Sequence, residues 1–407
     1  MSDFARLVRN QLIADARELP ERARRRWSED GRARRCGSIA ELRELARRRL
    51  PRPVFDFADG AAQDEVTARA NVSDLEAVRI LPRPLVDVGE IALATTVLGR
   101  PIALPLLGAP TGLTGLLHQR GERGVARACA AAGTIYVAST MASFSIEEIR
   151  AECDGPLWFQ LYVMRDRGIA RELVRRARGA GCEALVLTVD TPRLGARERD
   201  RRNGFTIPPR LTARSLVEGA RRPAWSRWFV REGRMSPANL GDGVAEFARQ
   251  IDPTLSWRDL EWVREQWDGP LVVKGVLHPE DARRAVELGA QAIVVSNHGG
   301  RQLDGAASSV AALPGVLSAV GDDAEVYFDG GVRRGADVLK ALALGARACL
   351  LGRALLYGLA AGGEPGAARA LAILRGELEL ALALAGCPAV GRLDASWLLD
   401  REQERAR

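Results

Sequence analysis

The chain has 407 residues, 47% of them hydrophobic, and its 59 Lys and Arg outnumber its 52 Asp and Glu. That length allows one large domain or two or three ordinary ones, the apolar content supplies a large core, and the mild positive excess does not indicate nucleic acid but suits acidic small molecules or an anionic membrane surface. Six scattered cysteines without C-x-x-C spacing and only three histidines argue against a disulfide framework and a structural metal site, and point to a reducing cytoplasm.

In chain order, residues 1–36 are Arg-rich and weakly apolar, with no apolar run of the secretory kind, and are expected to form a helical or partly disordered extension. A compact unit is expected over 37–399, followed by a short tail, 400–407. Ser38 and Glu41 have the spacing of a helix capping box. The uncharged run Pro101–Leu117 contains Pro101, Pro105 and Pro110 and reads as strand and loop, not as a membrane span.

From there short apolar runs alternate with helical patterns. The runs are Leu104–Gly108, Ile135–Ser139, Leu157–Tyr162, Ala184–Asp190, Leu271–Gly275, Ala292–Ser296, Glu325–Asp329 and Ala348–Gly352. Between them, Glu122–Ala132, Ile169–Ala180, Pro279–Leu288 and Gly335–Leu344 are apolar at helical spacing. Eight strands alternating with helices predict a closed parallel (β/α)8 TIM barrel, with a doubly wound open sheet as its competitor. The rhythm breaks once, between strands four and five. The middle of that insertion, 205–252, brings Arg221, Arg222, Trp225, Arg227, Trp228, Phe229 and Arg231 together, as in a lid or an interaction surface.

In such a barrel the working groups stand at the C-terminal ends of the strands. Those ends carry Pro110, Thr111 and Gly112, then Ser139, Gln160 and Tyr162, Thr188 and Asp190, Lys274, Ser296 and His298, Asp329 to Arg333, and Gly352 with Arg353. The last two clusters, Asp329-Gly330-Gly331-Val332-Arg333 and Gly352-Arg353, suit a phosphate, because glycines let backbone N–H groups approach it and arginines add charged donors. The sharpest motif runs from Ser296 to Asp304: His298 can act as a general base, and Arg301 can clamp a carboxylate through two hydrogen bonds.

Ser296-Asn297-His298-Gly299-Gly300-Arg301-Gln302-Leu303-Asp304-Gly305 resembles the signature of the FMN-dependent L-2-hydroxy-acid oxidase and dehydrogenase family, which includes L-lactate dehydrogenase and (S)-mandelate dehydrogenase. Supporting stretches are 110–115, 158–163, 187–200, 271–275 and 329–335, and the resemblance runs from about Ser38 to about Leu399. It implies FMN as cofactor and oxidation of a small 2-hydroxy acid to the 2-oxo acid. His298 would be the base and Asp190 its partner. Arg301, Arg197 and Tyr162 would hold the substrate carboxylate, and Lys274 would stabilise the reduced flavin. Pro110, Thr111, Gly112, Ser139, Gln160, Thr188 and Ser296 would line the flavin and ribityl chain. Asp329, Gly331, Arg333, Gly352 and Arg353 would hold the ribityl chain and phosphate. The resemblance also implies a quinone, oxygen or a carrier protein as electron acceptor, a homo-oligomer (a tetramer in the family), and membrane contact through 205–252 at the inner face of the cell membrane as one reading of the insertion. The motif Phe205-Thr206-Ile207-Pro208-Pro209 is most like the mandelate and lactate dehydrogenase branch.

Two positions depart from the pattern. Phe57 stands where the family carries a tyrosine that contacts the substrate carboxylate, which keeps open a same-fold flavoenzyme acting on an amine or a peptide terminus. Gly112, where oxidase members usually carry alanine, is expected to leave more room beside the flavin.

Overall fold

The computed structural model describes residues 29–204, 213–240 and 249–399. The branch motif at 205–209 and the tail at 400–407 lie outside them, as do residues 1–28 of the extension and parts of the insertion. Among the described residues four helices come first: α1 (Glu29–Arg35), α2 (Ile39–Arg49), α3 (Arg52–Asp59) and α4 (Val66–Ala77). The hairpin Thr95–Val97 with Arg100–Ile102 then leads into eight barrel strands. These are β1 (Leu106–Gly108), β2 (Tyr136–Ser139), β3 (Leu157–Leu161), β4 (Leu185–Thr188), β5 (Leu271–Val276), β6 (Ala292–Val295), β7 (Glu325–Asp329) and β8 (Ala348–Leu351). They form a closed parallel barrel in chain order, β8 pairing with β1 through Cys349 and Leu106. The outer helices are α5 (Gly121–Ala131), α6 (Ile146–Glu152), α7 (Arg167–Gly179), α8 (Glu198–Arg202), α9 (Ala213–Ala220), α10 (Pro223–Glu232), α11 (Trp257–Gln266), α12 (Pro279–Glu287), α13 (Ser309–Val320), α14 (Gly335–Ala343) and α15 (Arg353–Ala385). All eight expected strands are present, each within two residues of the expected bounds.

Strand alternation places the site. Side chains two apart share a face of a strand. Leu107, Val137, Trp158, Val186, Val272, Val294, Tyr327 and Leu350 pack together as the barrel interior, sealed below by Val97 and Ile102 of the hairpin. Two residues further along, the same inward track carries Ala109, Ser139, Gln160, Thr188, Lys274, Ser296, Asp329 and Gly352. The apolar layer therefore forms a floor, and the next layer is the polar upper rim of the barrel. The opposite faces, Leu106, Phe159, Leu187, Val273, Ile293 and Phe328 among them, pack against the helices.

The packed unit begins earlier than Gly37. In α1 the arginines face outward while Ala33 is fully buried, and Cys36 beyond it is 7% exposed. Cys36 O accepts from Arg369 Nε of the long helix α15 at 2.9 Å. The apolar content of this turn is too small to signal burial by composition. At α2 half of the expected capping box is present. Ser38 Oγ accepts from Glu41 N at 3.2 Å, while Glu41 Oε2 takes the amide of Gly37, one residue before the cap, at 3.1 Å.

Candidate active site

A cavity open to solvent lies over the C-terminal rim of the barrel. Ser139, Lys274 and Asp329 of the rim line it. Lys274 is 3% exposed; its Nζ donates to Ser296 Oγ and lies 2.9 Å from Asp329 Oδ2. Ser296 Oγ in turn donates to Asp329 Oδ2 at 2.6 Å and accepts from His298 N at 3.0 Å. Burial pulls the Lys274 ammonium down, but Asp329 and Asp190 outweigh it and hold it above the ordinary lysine value. Lys274 is thus a charged group at the cavity floor.

The loop after β6 turns sharply. His298, Gly299 and Gly300 take positive φ in succession, 58°, 65° and 74°. For a histidine this is an uncommon and strained conformation, which the surroundings must over-determine. Here the bond from His298 N to Ser296 Oγ and the two glycines do so. The turn brings His298 Nδ1 to 2.9 Å from Asp190 Oδ1. Asp190 can come so close because Gly275 has no side chain: a Cβ there would stand 2.6 Å from the Asp190 carboxyl carbon. Burial pushes the Asp190 carboxyl up, yet His298 and Lys274 together hold it below the usual carboxylate range. A depressed value in the fold means that this ionised partner adds stability above the unfolded value of about 3.9, which is lost as pH falls through the folded value. Asp190 Oδ2 is buried and takes no protein hydrogen bond.

One wall is made of guanidinium groups. Arg301 Nη1 donates to Phe57 O and Gly60 O at 2.9 and 2.8 Å. Arg353 donates to Gly299 O and to the same Gly60 carbonyl at 2.8 and 2.9 Å. Arg333 donates to Val332 O at 2.7 Å. These acceptors are backbone carbonyls, not carboxylates. Burial, then Arg197 and Arg353, pull Arg301 well below the ordinary arginine value, and burial lowers Arg197 and Arg333 as well. Such a cluster is suited to an anion that is not part of the protein.

The remaining wall is formed by Pro110, Thr111, Gly112, Met141, Tyr162 and Leu194, with Phe57 beneath the Arg301 guanidinium at 5.5 Å. Tyr162 is pushed up by burial and by Asp190. The glycine backbones of Gly331 and Gly352 border the arginine side. Gln160, Thr188 and Ser296 lie in the buried rim layer, and Asp190 stands behind His298. The sequence-predicted residues therefore meet around one cavity. Gly112 does not leave extra room, however. A Cβ at that position would stand 2.5 Å from Met141 Cβ and 2.9 Å from Met141 O, so the missing methyl is directed into protein. Sequence reasoning also missed Met141, Leu194 and Gly275. Only the glycine left a trace, as an interruption directly after Lys274.

The geometry defines a (β/α)8 barrel with a partly buried histidine–carboxylate pair beside a cluster of guanidinium groups. The chain belongs to the FMN-dependent dehydrogenase family, whose model matches residues 46–400. It is similar to an L-lactate dehydrogenase of Caulobacter vibrioides, 47% identical over 376 residues that cover 89% of this chain and 98% of that one. An L-lactate oxidase of a Nostoc species is also 47% identical, over 89% of this chain and 97% of its own. Among solved structures, a monotopic membrane protein, (S)-mandelate dehydrogenase, superposes with a TM-score of 0.87 at 41% identity, covering 90% of this chain and all of that one. A mandelate oxidase reaches 0.79 at 43% identity, over 89% of this chain and 98% of that one.

The site suits FMN on its own evidence. Gln160 Nε2, Thr188 Oγ1 and Arg353 Nε are buried without a protein partner, and buried polar groups of this kind call for one. The arginines beside Gly331 and Gly352 suit its phosphate.

Ser296 holds Lys274, Asp329 and the His298 amide at once. Ser296→Ala is expected to leave these buried groups short of a partner and to lower stability by about 1–3 kcal/mol. Thermal unfolding of the FMN-free protein checks this, and an unchanged midpoint would contradict the assigned network.

Proposed function

We propose that this protein oxidises a small, lactate- or mandelate-like L-2-hydroxy acid to the 2-oxo acid, with His298 as the base. The observation that carries the reading is the His298–Asp190 contact of 2.9 Å in the same cavity as Arg301 and Arg197. Asp190 accepts from Nδ1, which leaves Nε2 of the neutral ring as the proton acceptor. Once His298 is protonated, Asp190 stabilises the cation. Arg301 and Arg197, with Tyr162, bind the substrate carboxylate and so orient the reacting carbon. Lys274 would supply a positive charge that stabilises the electron density gained by the cofactor. When bound, FMN supplies the acceptor for the substrate's electron pair, which then passes to a quinone, oxygen or a carrier protein. Arg333, Arg353, Gly331 and Gly352 would hold its phosphate, and Asp329 its ribityl chain. Pro110, Thr111, Gly112, Ser139, Gln160, Thr188 and Ser296 line the remainder.

None of the relatives described above is named for an amine or a peptide, so the reading prompted by Phe57 is not favoured. Phe57 still lacks the hydroxyl expected there. Its carbonyl and ring support Arg301 instead, as acceptor and as the apolar face beneath the guanidinium.

Two further readings concern assembly. Fully exposed Leu85, with Leu380 and Leu384 exposed one turn apart on α15, supports a homo-oligomer that covers them. The insertion supports peripheral membrane contact. In α10, Trp225 and Phe229 turn inward, stacked at 4.3 Å, and Trp225 Nε1 donates to Leu116 O at 2.9 Å. Arg227, Val230 and Arg231 face out. The aromatic–basic cluster read from the sequence is therefore divided: its aromatic part braces the loop that follows β1, and its outer face carries Arg227 and Arg231 with the exposed Val230 between them and Glu232 at its end. Among the described residues no helix is long and apolar enough to cross a membrane.

His298→Gln is expected to retain FMN and to slow flavin reduction by 2-hydroxy acids by about 10²–10⁴-fold, the usual contribution of a positioned base. Anaerobic bleaching of the flavin by a panel of such acids measures it, and near-native reduction in the variant would remove His298 from the role. The protein is also expected to sediment with anionic vesicles at low salt and to be released as salt screens the contact. Arg227→Glu combined with Arg231→Glu should abolish sedimentation. An intact protein that never binds such vesicles would leave α10 as a lid.

A further inference from the structure

Gln302 follows Arg301 but reaches away from the cavity, to the loop after β4. Its Nε2 donates to Asp190 O and Arg193 O, both at 2.9 Å, and its Oε1 accepts from Gly195 N at 3.2 Å. Residues 190–197 form neither helix nor strand. Their backbone polar groups must find tertiary partners or water, and those partners set where the loop lies. The last barrel bond before the loop is Val189 N to Lys274 O, and Gln63 N to Ala196 O ties its far end. Between these anchors one side chain accounts for two carbonyls and an amide. The two loops are also in direct contact: a Cβ on Gly195 would stand 2.2 Å from Arg301 O.

The two loops divide the reacting groups between them. One carries Asp190 and Arg197, and the other carries His298 and Arg301. We propose that Gln302 is a positioning residue: by holding the 190–195 backbone against the 298–302 turn it sets the Asp190 carboxylate on His298, and acts on the reaction through Asp190. The inference rests on the hydroxy-acid reading above. The Asp190 side chain hangs from the backbone unit whose carbonyl Gln302 holds. If that carbonyl moves, the carboxylate moves from Nδ1, and the tautomer that leaves Nε2 free is no longer enforced.

The test is Gln302→Leu in the holoenzyme. FMN content is expected to stay at the wild-type level. Hydrogen exchange in a peptide covering 190–197 should speed up. Anaerobic flavin reduction by the best hydroxy acid should slow by about 10–100-fold, the scale set by a displacement of about 1 Å. In an Asp190→Asn background the same substitution should cost less than about threefold, because residues that act through one another are not additive. Gly195→Ala, which wedges the same contact from the other loop, should reproduce the slowing. Native reduction rates, unchanged exchange, loss of FMN from Gln302→Leu, or fully additive losses in the double variant would each overturn the proposal. If no 2-hydroxy acid reduces the wild-type flavin, the underlying reading of the reaction fails instead; the exchange measurement still decides whether Gln302 holds the loop.

Discussion

The site is organised around clustered, largely buried positive charge. Arg197, Arg301, Arg333, Arg353 and Lys274 all border one cavity, and among the described residues only Lys274 has a carboxylate within ion-pair distance. Bringing like charges together away from water is costly, and they remain only if something opposes them. Part of the opposition is built in as dipoles. Phe57 O and Gly60 O, at the C-terminal end of α3, take Arg301 and Arg353, so the negative end of that helix faces the cluster. Nearby, Asp59 is held below the usual carboxylate range despite its burial, by Arg43, Tyr357 and Arg199. That binds α3 to α2 and α8 and keeps its end in place. In the function proposed above, the rest of the opposition would come from bound anions, a cofactor phosphate on one side and a substrate carboxylate on the other.

The same fold supplies the rigidity that this arrangement needs. A left-handed histidine is tolerable because Ser296 fixes its amide, and Ser296 is fixed by Lys274 and Asp329 on two other strands. The groups that would bind the substrate, deprotonate it and stabilise the product charge thus stand on β3 to β8 and the loops after them. Their spacing is the spacing of barrel strands, not of flexible loops. The loop after β4 is the exception, and it is there that Gln302 makes its bonds.

Much of this was legible in the sequence, for a specific reason. Each barrel strand is short and apolar, and the inward track changes from apolar to polar over two residues, as from Trp158 to Gln160 or Val272 to Lys274. Such a change marks both the strand and its active end. His298 and Arg301 stood out because glycines in a run after a strand indicate a constrained turn. Other features depend on contacts between distant segments and leave no local mark. Ala33 and Cys36 are too small a pattern to announce a packed helix. The clash that Met141 would impose at Gly112 follows from two loops meeting. The inward turn of Trp225 and Phe229 could not be separated from the outward turn of Arg227 by composition alone.

The measurement closest to the central claim is the thermal midpoint of the FMN-free protein titrated with FMN, and separately with inorganic phosphate. A ligand present at about 1,000 times its Kd adds roughly 4 kcal/mol to the folded state. The account predicts a large, saturable rise with FMN. It also predicts a smaller rise with phosphate, which Arg333→Met removes and which leaves a reduced response to FMN. If neither ligand moves the midpoint, or if Arg333→Met leaves both responses intact, the buried cations are not the anion site on which this account rests.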